Sequence, residues 1–308
     1  MKELWVEKYR PKTVEDYVFR DDNQRNQVLT WIKEKSIPHL ILSGSPGIGK
    51  TTLAKVLLNE IGVEEYDILV INASRDNGVE YLRDTIVTFV SMIPFGPFKV
   101  VLLDEADYLT HNAQAVLRGV MEEFHDTARF ILTCNLKSKI MPALFSRSQG
   151  FDMVKTDQTE FTARVATILV TENVEFVLDT LDTIVKATYP DLRKCINLTQ
   201  QSIVDNTLVL PGAGDAGQAD YTVQMVNLFK AGDIQGARKL LCGTVRPEEM
   251  IEIYTWMYQN LDLFGKDDDQ KDSALLIIKQ ALVDASIVAD PEINLAACLV
   301  KLGRLQNQ

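Results

Sequence analysis

The chain has 308 residues, of which 46% are hydrophobic and 24% charged, and its formal net charge is −11 at pH 7. This length predicts two or three domains, and the apolar fraction excludes wholesale disorder. The acidity argues against a protein that coats nucleic acid along its length. A basic face remains possible, because electrostatic attraction of nucleic acid depends on where the charges lie and not on their sum. No apolar run reaches the ~18 residues of a membrane helix. Four widely spaced cysteines without a CxxC pair predict free thiols in a cytoplasmic protein.

Short β-rich apolar runs alternate with helical stretches in the first half of the chain. The runs are HLILSG (39–44), DILVINAS (67–74), KVVLLDEAD (99–107), RFILTCN (129–135) and GFDMVKT (150–156). They are nearly unbroken in Val, Ile and Leu, which is typical of parallel strands buried on both faces. With helices between them, they predict an α/β fold built from βαβ units around a five-stranded parallel sheet.

The segment GSPGIGKT (44–51) fits the pattern G-x4-G-K-[ST]. It follows the first predicted strand and opens a helix, which is the context of a phosphate-binding P-loop. Lys50 is expected to reach the β- and γ-phosphates of ATP, and the Thr51 hydroxyl to bind Mg²⁺. Backbone N–H groups are expected to wrap the phosphates, aided by the helix N-terminus. These groups belong to Gly47, Ile48, Gly49, Lys50, Thr51 and Thr52.

Polar residues end the third and fourth predicted strands. Asp104 follows the four apolar residues of KVVLLDEAD, which place it at the carboxyl end of a strand, and it is expected to hold Mg²⁺. Glu105 follows at once and can orient and deprotonate the attacking water. Asn135 ends RFILTCN, where its amide can position water or sense the γ-phosphate, or serve only in turn chemistry. These residues predict hydrolysis of ATP rather than binding alone.

The strand pattern stops at about residue 157, and the rest of the chain is predicted to be helical. One helix begins after Pro190, with Asp191 as a cap near its N-terminus. The segment LPGAGDAGQAD (210–220) holds three glycines and a proline, and predicts a linker. The run KDDDQKD (266–272) is expected to be a solvated loop between helices.

Several segments together resemble one family. They are LWVEKYRPKTVEDYV (4–18), the P-loop, DEAD (104–107), AQAVLRGVMEE (113–123), SRS (146–148) and YPDLRKCIN (189–197). In this order the chain is similar to AAA+ sliding-clamp loader ATPase subunits, the replication factor C small-subunit family. Within that family it most resembles the clamp-loader large subunit of T4-type bacteriophages. The last hundred residues match the family only in their helical character.

The resemblance implies a domain plan and a nucleotide site. An AAA+ P-loop ATPase domain (1–156) would be followed by a helical lid (157–209), the linker and a helical collar (221–308) for oligomerisation. Arg193 falls at the lid arginine that contacts the nucleotide phosphates, although from the residues alone a cap or a local ion pair is preferred. The cofactors would be ATP and Mg²⁺. The residues that fall where the family cradles the adenine are Val6, Glu7, Lys8, Tyr9 and Val18.

Two further arginines take roles from the resemblance. Arg147 stands between two serines with no carboxylate within eight residues before it or four after it. By itself it is a solvated surface residue, but the resemblance implies that it acts in trans on a neighbouring subunit's γ-phosphate. We therefore expect it to be unpaired within its own chain. Ser148 stands where the family has cysteine. Arg118 would couple neighbouring subunits and DNA to the site, but Gly119 replaces the family's second arginine.

DNA contact is expected on the helix that starts near Asn77. Arg83, and less directly Arg75, would contact the DNA backbone without reading sequence, or they are ordinary exposed arginines. The resemblance implies partners of three kinds: other copies of the chain with a different small subunit, a sliding clamp, and primer–template DNA. It implies no membrane and a cytoplasmic location, which is the host cytoplasm if a phage encodes the chain.

Three alternative functions differ in features that the sequence would carry. Another AAA+ DNA motor, such as a branch-migration helicase, would need its own DNA-binding C-terminal module, whereas this C-terminal region is helical and acidic. A non-hydrolysing structural subunit would be expected to lose Lys50 or Glu105, and both are present. A small-molecule P-loop kinase normally lacks both the Asp–Glu pair and a helical oligomerisation domain. The residues favour an ATPase, and the resemblance implies a clamp-loader subunit that opens a sliding clamp and loads it onto primer–template DNA.

Overall fold

The computed structural model describes residues 3–76, 78–153, 155–210, 221–246 and 249–306. The chain divides into two compact units. The first unit comprises Met1–Glu172 and Tyr189–Gln200, and the second comprises Asn173–Thr188 and Gln201–Gln308. The expected linker at 210–220, apart from Leu210, lies outside the described residues. Within the described ranges, no helix is both long enough and apolar enough to cross a bilayer.

A five-stranded sheet forms the centre of the first unit. Its strands run in the order β2-β3-β4-β1-β5, and every neighbouring pair is parallel. The predicted parallel sheet is therefore confirmed, with each strand inside or within one residue of its predicted run. The strands are β1 (Leu40–Gly44), β2 (Ile68–Asn72), β3 (Lys99–Asp104), β4 (Ala128–Cys134) and β5 (Gln149–Met153).

Helices cover both faces of this sheet because successive strand residues point to opposite sides. Leu40 and Leu42 pack into one apolar core, whereas Ile41 between them packs into the other. The first core contains residues of the helices at 22–34 and 50–61, and the second contains residues of the helices at 79–90 and 111–123. The helices of this unit are α1 (Trp5–Lys8), α2 (Asp22–Glu34), α3 (Lys50–Ile61), α4 (Val79–Val90), α5 (His111–Glu123), α6 (Pro142–Phe145), α7 (Gln158–Thr171) and α9 (Leu192–Gln201).

The parallel arrangement places the carboxyl ends of all five strands at one edge of the sheet. The P-loop follows β1 there, Asp104 ends β3, and Asn135 follows β4. Ligands of open α/β sheets bind at this edge, between strands where the chain order reverses. Arg147 lies two residues before β5 and is therefore at the opposite side of the sheet, where the strands have their amino ends.

The second unit is mainly helical. Its helices are α8 (Leu178–Thr188), α10 (Tyr221–Lys230), α11 (Ile234–Thr244), α12 (Met250–Gln259), α13 (Asp268–Asp284) and α14 (Pro291–Gln306). It also contains an antiparallel hairpin, β6 (Ile203–Val204) with β7 (Thr207–Leu208). This hairpin was not predicted, since two-residue strands leave no periodic pattern in the sequence.

The expectation that 266–272 is a loop is wrong from Asp268 onward. That residue begins α13, and the Asp267 side chain caps the helix by accepting a hydrogen bond from the Gln270 N–H at 2.8 Å. Asp268 and Asp269 occupy the first turn, where negative charge interacts favourably with the helix dipole. The acidic run is therefore a helix start, which composition alone does not distinguish from a solvated loop.

Candidate ATP site and partner surfaces

Lys50 connects the P-loop to the end of β4. Its Nζ donates hydrogen bonds to Gly44 O, Ser45 O and Asn135 Oδ1, each at 2.8 Å. The side chain is 9% exposed, and burial lowers the pKa of its ammonium below the usual value. Nearby Asp104 favours the charged form. The predicted phosphate lysine and the predicted Asn135 are thus in direct contact.

Two glycines allow the P-loop to take its shape. Gly47 has a φ of +72° and Gly49 a φ of +95°, values that L-residues with side chains rarely adopt. A Cβ at Gly47 would also lie 1.8 Å from Oδ1 of Asp191, which caps α9 by accepting from the Lys194 N–H at 2.8 Å. The buried Tyr17 hydroxyl lies 3.4 Å from the carbonyl oxygens of Ile48 and Gly49 and donates toward them. Burial raises the pKa of Tyr17 well above its usual value, so this phenol remains a donor.

The two predicted metal ligands are in contact. Thr51 Oγ1 donates to Asp104 Oδ1 at 2.7 Å. A hydroxyl and a carboxylate are oxygen donors of the kind that Mg²⁺ takes, usually with several waters retained. This donor set therefore fits a magnesium ion at the carboxyl end of β3.

Glu105 lies directly beyond Asp104 in an unusual backbone conformation. Its φ of +57° and ψ of +43° are left-handed, a strained state that costs roughly 1–3 kcal/mol for a residue other than glycine. The Glu105 N–H donates to Thr133 Oγ1 at 3.0 Å, and Thr133 Oγ1 donates to Asp104 Oδ1 at 2.6 Å. One buried threonine therefore contacts both acidic residues.

Asp107 supports the loop that carries Asn135. Its carboxylate oxygens accept hydrogen bonds from the N–H groups of Asn135 at 3.3 Å and Leu136 at 3.4 Å. Asp107 is 6% exposed, so these bonds satisfy a buried carboxylate. Its role here is to hold the end of β4 beside the P-loop.

A cavity beside the P-loop holds most of the residues expected at the adenine. Val6, Tyr9 and Val18 line it, but Glu7 and Lys8 do not. The Glu7 side chain pairs with Arg10 at 2.6 Å, and Lys8 pairs with Glu172 at 2.7 Å. Of the range 6–9, only the first and last residues therefore contribute to the wall. The remaining lining residues are Arg10, Pro11, Tyr17, Gly47, Ile48, Gly49, Thr52, Thr156, Arg164, Pro190, Leu192, Arg193 and Ile196.

Arg164 of α7 holds the N-terminal segment against this cavity. Its Nη2 donates to Tyr9 O at 3.1 Å, and its Nη1 pairs with Asp16 Oδ1 at 3.2 Å. The Tyr9 hydroxyl donates to Glu172 at 2.6 Å. The cavity wall thus depends on Arg164 in the middle of α7 and on Glu172 at its C-terminal end, and neither was predicted.

Arg193 lies in the first turn of α9 and lines the same cavity. It is exposed, and its positive charge is among the smaller causes that lower the pKa of Lys50. The predicted lid arginine and the P-loop lysine are therefore close enough to interact electrostatically. A positive charge near the P-loop lysine suits a polyphosphate.

Arg147 has an acidic partner, so the expectation that it is unpaired in its own chain is wrong. Its Nη2 forms an ion pair with Glu122 of α5, and its Nη1 donates to Ala143 O at 3.0 Å and Ser146 Oγ at 3.2 Å. The pair was missed because Glu122 is remote in sequence and is brought close only by packing. The adjacent Ser148 hydroxyl oxygen is buried without a hydrogen-bond partner among the described residues, in keeping with a position that suits cysteine.

The remaining predicted residues lie on α4 and α5 or just before them. Arg118 lies 3.8 Å from the carboxylate of Glu122, the same acid that pairs with Arg147. Arg83 of α4 and Arg75 before it are exposed. Asn77, where the helix was expected to start, lies outside the described residues, and α4 runs from Val79.

An exposed apolar patch lies at the edge of the sheet opposite the P-loop. Tyr66 precedes β2, and Met92, Ile93 and Phe95 lie between α4 and β3. Ile93 is 90% exposed and Phe95 is 80% exposed. The buried Asp67 accepts from Phe95 N at 3.1 Å, Gly96 N at 2.7 Å and Lys99 Nζ at 3.0 Å, so the loop is held by ordered contacts.

Sequence reasoning missed several of these residues although one signal was present. Thr133 is a hydroxyl residue in an otherwise apolar strand, and it shares a strand face with Asn135 because strand side chains alternate. That pattern indicates that Thr133, like Asn135, belongs to the nucleotide site at the carboxyl ends of the strands. Nothing comparable marks Arg164 or Glu122, whose partners depend on how distant helices pack.

Comparisons with known proteins agree with this geometry. The family model described as "ATPase family associated with various cellular activities (AAA)" matches residues 40–156. A replication factor C small subunit of Sulfurisphaera tokodaii is 41% identical over 97% of this chain and 94% of that protein. One from Methanococcus maripaludis is 31% identical over 99% of this chain and 100% of that protein. These relatives are archaeal and give no support to a bacteriophage origin.

Among solved structures, the Thermotoga maritima RuvB Holliday junction branch migration motor has a TM-score of 0.57 at 18% identity, with 80% of each chain covered. At this identity the likeness concerns the fold alone. The relatives at 31–41% identity, in contrast, match almost the whole chain. The chain therefore belongs to the replication factor C small-subunit family of AAA ATPases, and it is an ATP hydrolase.

Proposed function

We propose that this chain is an ATPase subunit of a sliding-clamp loader. It binds ATP and Mg²⁺ at subunit interfaces, opens the clamp, and loads it onto primer–template DNA. The observation that carries the proposal is that the catalytic groups are divided between the carboxyl ends and the amino ends of the strands of one sheet. Lys50, Asp104 and Glu105 lie at the carboxyl edge, whereas Arg147 lies at the amino end of the edge strand β5. Such a site is complete only when a second subunit supplies the arginine.

Within one subunit, each residue at the carboxyl edge has a chemical task. Lys50 exchanges its contacts with the P-loop carbonyls for the β- and γ-phosphate oxygens of ATP. Thr51 and Asp104 would hold Mg²⁺, which would supply positive charge to neutralise the phosphates. Glu105 takes the proton of the attacking water, and Asn135 orients that water or the γ-phosphate. Arg193 contacts the phosphates from α9.

The trans role of Arg147 rests on strand geometry. Leu40 pairs with Gln149 and Gly44 pairs with Met153, so Arg147 lies beside the start of β1. Four residue rises of ~3.3 Å, about 13 Å, separate that point from the P-loop that follows Gly44. The γ-phosphate bound by a neighbouring subunit is therefore a better target for the Arg147 guanidinium than the phosphate bound by its own P-loop. The ion pair between Arg147 and Glu122 must open before Arg147 can reach that phosphate. Arg118 already lies beside Glu122 and can pair with its carboxylate when Arg147 leaves.

Two surfaces suit the remaining partners. Arg83 and Arg75 would contact the DNA backbone, and their exposure permits it. In the second unit, α13 and α14 carry exposed Leu276 and Ile293, and Ile287 between them is also exposed. Burying such side chains against another chain is favourable because it removes apolar surface from water. We assign them to a collar that joins copies of the chain and a different small subunit.

The function is tested by ATP turnover of the assembled complex, with and without primed DNA and the cognate clamp. We expect the two together to stimulate turnover more than either does alone, because DNA and clamp complete the subunit interfaces. A four-way DNA junction without clamp serves as the comparison substrate. Stimulation by that junction and none by primed DNA with clamp would favour a branch-migration motor instead.

The exposed apolar patch around Ile93 is the surface that we assign to the clamp. It lies at the amino ends of β2 and β3, whereas the P-loop lies at the carboxyl ends of the strands. Arg147 is also at the amino ends, but beside β5 on the other side of the sheet. The double variant Ile93→Asp with Phe95→Asp is expected to weaken clamp binding roughly 10- to 100-fold, since apolar interface residues that matter contribute about 1 kcal/mol or more each.

This prediction is checked by direct binding of the complex to immobilised clamp. Stimulation of turnover by DNA alone should persist in the double variant. Val170→Asp on α7 is a matched control, because Val170 is also an exposed apolar residue of the first unit but lies outside the patch. Equal clamp binding by the double variant and the wild type would refute the assignment.

A further inference from the structure

Thr133 occupies a buried position between the two acidic residues of the site. It is 1% exposed, and it is the penultimate residue of β4. Its Oγ1 lies 2.6 Å from Asp104 Oδ1 and 3.0 Å from the Glu105 backbone nitrogen. Within the described part of the chain, no other side chain forms hydrogen bonds to both of these acidic residues.

The direction of both hydrogen bonds is determined by chemistry. A backbone N–H only donates, so the Thr133 oxygen accepts from Glu105 and its own hydrogen is free for the carboxylate. The hydroxyl thus uses its donor on Asp104 and an acceptor lone pair on Glu105. Replacing it by a methyl group would remove this partner from the Glu105 N–H and one donor from the Asp104 carboxylate.

The second contact bears on a strained backbone. Glu105 has a φ of +57°, a left-handed value that residues with a side chain rarely adopt. Such strain persists only where surrounding contacts determine it, and it collects at functional sites. The Thr133 bond to the Glu105 N–H is one of those contacts. It therefore acts on the direction in which the Glu105 side chain leaves the chain.

We propose that Thr133 is a positioning residue for ATP hydrolysis, which sets the Asp104 carboxylate and the Glu105 backbone through one hydroxyl group. The inference rests on the proposed roles of Asp104 and Glu105. Thr133 itself touches neither the nucleotide nor the attacking water in this proposal. Its effect is on turnover and on Mg²⁺ use rather than on nucleotide binding.

The test compares Thr133→Val, which keeps the shape and loses the hydroxyl, with Thr133→Ser, which keeps the hydroxyl. T133V is expected to lower kcat for ATP about 10- to 100-fold, the range typical of residues that orient metal ligands. It should also raise the Mg²⁺ concentration for half-maximal turnover, while the affinity for a fluorescent ATP analogue stays near that of the wild type. T133S should recover most of the turnover.

Ser43→Ala is the matched control. Ser43 is 2% exposed and its hydroxyl also donates to an aspartate at 2.6 Å, but that aspartate is Asp152 of β5. S43A removes an equivalent buried bond and should leave kcat and Mg²⁺ dependence unchanged. If T133V lacks a cooperative unfolding transition, Thr133→Ala is measured against the same criteria.

Three results would overturn the inference. They are a wild-type kcat in T133V, no recovery of turnover in T133S, or a fold-loss of nucleotide affinity in T133V that equals its fold-loss of kcat. All three are read from intrinsic turnover and binding, without DNA or clamp. A failure of the proposed function would instead appear as wild-type enzyme that primed DNA and clamp do not stimulate. The two failures are therefore distinguishable.

Discussion

Arg147→Ala is expected to lower the ATP turnover of the assembled complex, stimulated by DNA and clamp, about 10³- to 10⁵-fold, as removal of an arginine finger does. The guanidinium neutralises charge that develops on the γ-phosphate in the transition state. Because Arg147 lies at the amino end of β5, away from its own P-loop, nucleotide affinity of the isolated chain should be unchanged. Steady-state turnover of the complex and equilibrium binding by the isolated chain measure the two quantities.

A mixing experiment separates action in trans from action in cis. R147A chains keep an intact P-loop, and Lys50→Ala chains keep an intact Arg147. Each alone should be inactive, but complexes assembled from both should regain part of the turnover. No recovery on mixing would mean that Arg147 serves its own site. Arg147→Lys should retain less activity than the wild type, since lysine keeps the charge but not the paired donors.

Glu105→Gln is expected to lower turnover about 10²- to 10⁴-fold, the range for loss of a general base. Glutamine keeps the shape of the side chain but does not take a proton from water. Lys50 and the P-loop glycines are unaltered, so the affinity for ATP should be nearly unchanged. Single-turnover hydrolysis and binding of a fluorescent ATP analogue provide the measurements.

Glu123→Gln on α5 is the control for this substitution. Glu123 is exposed, and the change removes the same charge outside the site. E123Q should therefore turn over ATP at the wild-type rate. If E105Q hydrolyses ATP normally, or loses nucleotide binding as K50A should, then Glu105 is not the base.

The nucleotide-binding core could be predicted because its signals are local. Each strand is a short, continuous apolar run, and the phosphate loop is eight adjacent residues whose spacing specifies its chemistry. Asp104 and Asn135 follow from parallel strands, since the carboxyl ends of such strands meet at one edge. Contacts between Lys50 and Asn135, and between Thr51 and Asp104, agree with that expectation.

Tertiary structure decided which side chains share a contact when their segments are remote in sequence. The Glu122 partner of Arg147, the Thr133 link between Asp104 and Glu105, and the Arg164 bond to Tyr9 are of this kind. Hydrophobic periodicity reports which face of an element is buried, but it does not report which distant element covers that face. The sequence by itself therefore determined the sheet, the P-loop and the acidic strand end. Only packing decided that Arg147 is held by Glu122 and that a threonine hydroxyl joins the two acids.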